Sequence, residues 1–165
     1  MHRTRRPDFL AILRVLTKRK VDFIVVGGVG AVLHGAPMST FDLDVVHCRE
    51  PNNVHRLLTA LEALDAYYRI QPEKKARPGV SHLSSAGHQL LMTRFGPLDI
   101  LGAIGRGHEY KDLLEDTVEM QVGRGIKVRV LKLDALIRIK AETAGEKDKA
   151  ALPLLRRTLE EKSRP

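Results

Sequence analysis

The chain holds one cysteine, Cys48, so no internal disulfide can form. That favours a reducing compartment, and a cytoplasmic location is expected. Tryptophan is absent and aromatic residues make up only 4% of the chain. Reading single-stranded nucleic acid by base stacking would therefore have few platforms. Long hydrophobic runs are missing too. The longest, FIVVGGVGAVL, covers 11 residues, short of the roughly 18 that a membrane-spanning helix needs. The seven histidines show neither H-E-x-x-H nor paired Cys/His spacing, which argues against a zinc site. An arginine pair near the N-terminus faintly resembles a twin-arginine export signal. Arg14 interrupts the apolar stretch behind it and no small-residue cleavage site follows, so the segment reads as part of the mature fold.

Acidic residues are in the minority: 28 Lys/Arg stand against 20 Asp/Glu, a net charge of +8 in 165 residues. With 43% hydrophobic residues, the chain has the composition of one globular domain. The basic excess is local. Residues 1–20 hold seven Lys/Arg, among them Arg5, Arg6, Arg14, Lys18 and Arg19, against Asp8 alone. A polyanionic acceptor such as RNA is one partner that edge would suit; a solvated helix face is the plainer reading.

Apolar residues at 9, 12, 13 and 16 predict a first helix. DFIVVGG predicts a strand ending in a glycine turn, VGAVLHG a short helix closed by Gly35, and TFDLDVVHC a second strand. NNVHRLLTALEALDAYY predicts a helix capped by Asn52 or Asn53. VSHLSSAGHQLLMTRF reads as two short strands with a turn at Ala86-Gly87, GPLDIL as a strand and HEYKDLLED as a short helix. TVEMQV and IKVRVL form a hairpin over Gly123–Gly125. Two helices follow, split near Gly145, with Pro153 kinking the last or moving its start. The pattern predicts an α/β (α+β) fold, one mixed sheet flanked by helices.

Two aspartates inside an otherwise apolar strand need a reason. Residues i and i+2 of a strand share a face, so Asp42 and Asp44 project together, away from Phe41, Leu43 and Val45. Their repulsion should raise one pKa unless a divalent cation relieves it. Upstream, Gly27 and Gly28 leave N–H groups bare at a helix start, an anion site, and Ser39 and Thr40 add hydroxyls. A phosphate cradle followed by an acid pair suits a nucleotide–magnesium complex. A dinucleotide-binding turn is the rival: Gly28 to Leu33 fits G-x-G-x-x-G except at its third glycine.

VVGGVGAVLHGAPMSTFDLDVV resembles the core motif of the DNA polymerase β-type nucleotidyltransferases, closest to the small bacterial branch near the AbiEii-like abortive-infection enzymes. The motif is a Gly-Gly turn, a short helix, then T-x-D-hydrophobic-D, here Gly27, Gly28, Thr40, Asp42 and Asp44. The resemblance implies a third acid on a later strand, Asp99, and a C-terminal helical pair carrying Lys140, then Lys147 and Asp148. It implies one domain over residues 1–165, with a core over about 20–131 and helices over about 132–162.

The implied activity is magnesium-dependent transfer of a nucleoside monophosphate from a nucleoside triphosphate to a hydroxyl, with RNA such as transfer RNA favoured over protein or a small molecule as the acceptor. The enzyme could serve as the toxin of a toxin–antitoxin pair with a cognate antitoxin. Asp42, Asp44 and Asp99 would hold two magnesium ions. Gly27, Gly28, Ser39, Thr40, Lys147 and Asp148 would bind nucleotide, and Lys140 would neutralise charge on the triphosphate. The alternative is an inactive homologue that binds nucleotide or a partner. The chain departs from the pattern twice, at Met38 and Glu146, where arginines are common. Arg94 and Arg106 are candidates to replace them.

Overall fold

A computed structural model describes residues 6–164, with the side chains of residues 146–148 excepted. The basic residues before Arg6, and the side chains of Lys147 and Asp148, therefore lie outside the described residues.

Helix α1 (Phe9–Lys18) starts where the Asp8 carboxylate accepts a hydrogen bond from the Ala11 N–H, 3.0 Å, and buries Ile12, Leu13 and Leu16. Strand β1 (Phe23–Val26) is buried on both faces, as its unbroken apolar run requires. It passes without a loop into α2 (Gly27–Leu33). β2 (Leu43–His47) follows, then α3 (Pro51–Ala63), β3 (Tyr67–Tyr68) and α4 (Val80–Ser84). Next come β4 (His88–Thr93), β5 (Gly96–Leu101), β6 (Ala103–Ile104), β7 (His108–Glu109) and α5 (Tyr110–Leu113). β8 (Thr117–Val122) and β9 (Ile126–Leu131) form the late hairpin, with Gly123 and Gly125 at positive φ. Helices α6 (Leu133–Glu142) and α7 (Glu146–Lys162) close the fold; α7 runs through Pro153.

Seven strands make one mixed sheet in the order β3-β4-β5-β2-β1-β9-β8, and β6 pairs with β7 apart from it. β1 runs parallel to β9, and β2 parallel to β5; the other pairs are antiparallel. The α+β reading of the sequence holds. Because β1 and β2 are antiparallel, the glycine turn does not open a parallel βαβ unit. The dinucleotide-binding alternative loses its scaffold.

Each face of the sheet has its own core. Ile12, Leu13 and Leu16 of α1 and Val54, Leu57 and Leu61 of α3 pack on Val25, Val45 and Leu98. Leu136 and Ile139 of α6 and Leu152 and Leu155 of α7 pack on the other face, with Ile24, Val46 and Leu131. Each fully buried leucine or valine is worth about 1.5–3 kcal/mol, so both layers are secured mainly by apolar burial.

Three local expectations are corrected. Residues 80–84 form a helix and not a strand. The Gly79 N–H donates to His82 Nδ1 (3.0 Å) at its start, and Leu83 buries against the first core. Neither Asn52 nor Asn53 caps α3. Pro51 opens it with Glu50 at the cap position, and Asn53 is buried inside. Its Oδ1 accepts from the Asp22 N–H (2.7 Å), and its Nδ2 donates to the Asp22 and Cys48 carbonyls. Phe41 precedes β2 and is 75% exposed; it does not share the buried face of Leu43 and Val45.

Candidate active site

The acids gather at one end of the sheet because of register. Asp44 on β2 is paired with Asp99 on the parallel neighbour β5, and with Val26 on β1. Directly paired residues share a face, so the two carboxyls lie side by side on the α6 side of the sheet. Asp42 stands just before β2, partly exposed at the mouth. The structure thus brings together the three acids that the sequence separates by up to 57 positions.

Asp99 is buried, at 8% exposure, and Asp44 Oδ1 is buried with no hydrogen-bond partner among the described residues. Burial pushes the Asp44 carboxyl up to about 8. The charge of Asp99 and a proton shared with it come next; Asp42 adds less, and Arg69 opposes. Repulsion between Asp42 and Asp44 was the expected cause, but desolvation and the cross-strand acid outweigh it.

Opposite Asp44, α2 begins directly at Gly27 and has no side-chain cap, so its first N–H groups have no partner within the helix, and Gly27 and Gly28 line the cavity next to Asp44. Gly27 has φ +64°, and a Cβ there would overlap the Asp44 carboxylate. Gly28 faces the Thr40 side chain, where a Cβ would lie 2.6 Å from Oγ1. The Thr40 hydroxyl itself donates to the Asp42 carbonyl, 3.3 Å, and so supports the turn that presents Asp42. Ser39 is exposed beside it.

Beyond the glycines lies a cavity of about 160 Å³ between the sheet and α6–α7. Asp44, Gly27, Gly28 and Lys140 line its polar end; Met38, Leu101, Ile104, Leu136 and Leu155 line the rest. Met38, one of the two departures from the motif, is therefore cavity wall.

Neither Arg94 nor Arg106 is the arginine at the acids. Arg94 lies over the Phe95 ring, and the Arg106 N–H donates to Glu142. The site arginine is Arg69, which sequence reasoning missed. Its Nη1 donates to Asp99 Oδ1 at 2.6 Å and to the Leu91 carbonyl at 3.0 Å; its Nη2 lies 3.7 Å from Asp42 Oδ2. In the sequence Arg69 merely follows the helix predicted to end at Tyr68, which the structure ends at Ala63 with Tyr67–Tyr68 as β3, and nothing short of the register of β3 reveals where it points.

The residues fit a divalent cation at Asp42 and Asp44, because the unpartnered buried oxygen of Asp44 needs a positive neighbour and carboxylate oxygens are what magnesium takes. A three-acid cage is not preformed: among the described residues, no group of three or more His, Cys, Asp or Glu side chains is placed to hold an ion. No helix among them is long and apolar enough to cross a membrane.

No protein-family model matches the chain, and no curated protein matches it. Solved structures do. A candidate nucleotidyltransferase from Thermotoga maritima is 20% identical, with a TM-score of 0.59 over 97% of this chain and 98% of that one. The lincosamide antibiotic adenylyltransferase LnuA, with lincomycin bound, is 14% identical, TM-score 0.58, over 90% and 94%. ANT(2″)-Ia in complex with adenylyl-2″-tobramycin is 16% identical, TM-score 0.57, over 92% and 87%. The mixed sheet, its flanking helices and these likenesses together show that this chain has the fold of the nucleotidyltransferases.

Proposed function

We propose that the protein transfers a nucleoside monophosphate from a nucleoside triphosphate to a hydroxyl of a small acceptor. One observation carries the reading: Asp44 and Asp99 are paired in register, and the Asp44 carboxylate lies against Gly27 at the bare start of α2. The triphosphate would lie on the Gly27 and Gly28 N–H groups with Ser39 nearby and Lys140 reaching from α6. The apolar cavity would take the nucleoside. Asp42 and Asp44 would hold magnesium, which when bound supplies charge neutralisation and a more acidic acceptor hydroxyl. The acceptor oxygen attacks the α-phosphorus in line as the bond to the bridging oxygen breaks. Pyrophosphate leaves, and the acceptor proton passes to the Asp99 carboxylate.

The sequence favours an RNA acceptor such as transfer RNA, and the basic first helix would serve it only from beside the acids. Helix α1 instead packs on the opposite face of the sheet. The small-acceptor reading is also supported by LnuA and ANT(2″)-Ia, whose structures are with an antibiotic and an adenylylated antibiotic.

The test is incubation with each labelled nucleoside triphosphate, magnesium and a panel of hydroxylated small molecules or RNA. Label should reach a small-molecule fraction in the wild type, and Asp44→Asn or Asp99→Asn should lower transfer by at least 100-fold while keeping the circular-dichroism spectrum. Transfer undiminished by Asp44→Asn would overturn the site. A melting temperature raised by triphosphate and magnesium without any transfer would favour the inactive homologue.

A further inference from the structure

We propose that the guanidinium of Arg69 stands in place of one of the two divalent ions, so that the site loads a single ion together with its nucleotide. The inference rests on the nucleotidyl-transfer reading and concerns how this chain departs from a two-ion arrangement.

Arg69 is delivered by register, as the acids are. Its N–H donates to the Leu90 carbonyl, 3.1 Å, which extends the β3–β4 pairing by one residue. Leu90 is paired with Asp99, and Asp99 with Asp44. Arg69, Leu90, Asp99 and Asp44 therefore form one row across four strands, on one face. The guanidinium reaches along this row over Leu90 and ends between Asp99 and Asp42. The Leu91 carbonyl fixes it from below at 3.0 Å. A partly buried guanidinium with three oxygen partners has little freedom to leave, since each vacated oxygen would lose a charge-assisted partner.

That position is where an ion shared by Asp99 and the motif acids would lie. Among the described residues the three acids do not form a group placed to hold an ion, and the guanidinium contacts Asp99 and Asp42. Asp44 Oδ1 stays unpartnered and its Oδ2 lies against Gly27, so the single ion is the one on the Asp42–Asp44 side, next to α2 and the triphosphate. Arginine suits the other side because it is always charged and presents N–H groups in a fixed plane. Held by Arg69, Asp99 keeps the orientation in which it takes the acceptor proton. The remaining guanidinium N–H groups can donate to the oxygens of the phosphorus under attack.

The experiment counts manganese bound to the full chain, from the electron paramagnetic resonance of the unbound ion. The titrations contain α,β-methylene analogues of ATP, GTP, CTP and UTP in turn, which cannot react. The expected result is one manganese per chain with the wild type and Arg69→Lys, and two with Arg69→Met. Arg69→Gln serves as a second opening variant, each being checked for folding by its melting curve. Two manganese ions on the wild type, or one on every folded Arg69 variant lacking the charge, would overturn this inference and leave nucleotidyl transfer standing. No nucleotide-dependent manganese binding at all would overturn both.

Discussion

Asp44 spends most of its length in a place that disfavours its charge, and the sign of the consequence follows. Its folded pKa, about 8, lies above the ordinary carboxylate value. Between about pH 4 and 8 the folded chain then holds a proton that the unfolded chain releases. Stability from this group is full below about pH 4 and is lost as the pH rises through 8. Asp44→Asn is neutral throughout, so in chelator its melting temperature at pH 8 should exceed that of the wild type by roughly 5 °C or more, with the gain vanishing near pH 4. Scanning calorimetry across that range checks it; a variant less stable than the wild type at pH 8 would contradict the burial argument. At this scale the sequence was informative where a motif fixed the spacing. Asp42, Asp44, Gly27 and Gly28 are legible because Gly-Gly, a short helix and two acids are local. Arg69 and the tie made by Asn53 are not, since both depend on which strand lies beside which.

The elements are joined by a few polar ties, and the one at His34 depends on pH. At the end of α2 its Nε2 donates to the Leu131 carbonyl of β9, 2.8 Å, and its Nδ1 accepts from Lys162 Nζ of α7 at 2.5 Å. Burial lowers the His34 pKa; the Leu131 carbonyl opposes, Lys162 lowers it further, and Asp134 raises it slightly. The tie thus stabilises the fold above about pH 6.5 and is lost as the pH falls through the lower folded value. The His34 ring protons should titrate below 6.5 by NMR, and Lys162→Met should move the midpoint upward. A midpoint at or above 6.5 in the wild type would mean that α7 is not held this way. Helices and strands with clear periodicity, such as α1, β1 and the β8–β9 hairpin, were legible. Helix α4 was not, because Val80 and Leu83 fit an apolar spacing too short to distinguish helix from strand.

For the whole molecule, the class of the fold was legible and the placement of its charge was not. Periodicity distinguishes strands from helices, but it does not say which face of the sheet a helix covers. The basic exposed residues Arg14 and Lys18 of α1 and Arg19 at its C-terminal cap lie across the sheet from the acids. Changing all three to Ala should leave nucleotide affinity and transfer to a small acceptor within about twofold of the wild type, because solvent screens charges beyond about 10 Å. A tenfold loss in kcat/KM would restore the basic face to the reaction.

The two cores differ in which parts of the chain they need. The one beneath α1 and α3 is complete by Val130, whereas the one over the acids draws Leu136, Ile139, Leu152 and Leu155 from the last two helices. Such a layer can come away while the sheet persists, as a unit of sub-global opening with its own, smaller free energy. Amides in β1, β2 and β9 would then exchange with solvent only on full unfolding, and those of α7 well before. The wall of the nucleoside cavity would be the part of the protein that opens first and, during folding, the part that is laid down last.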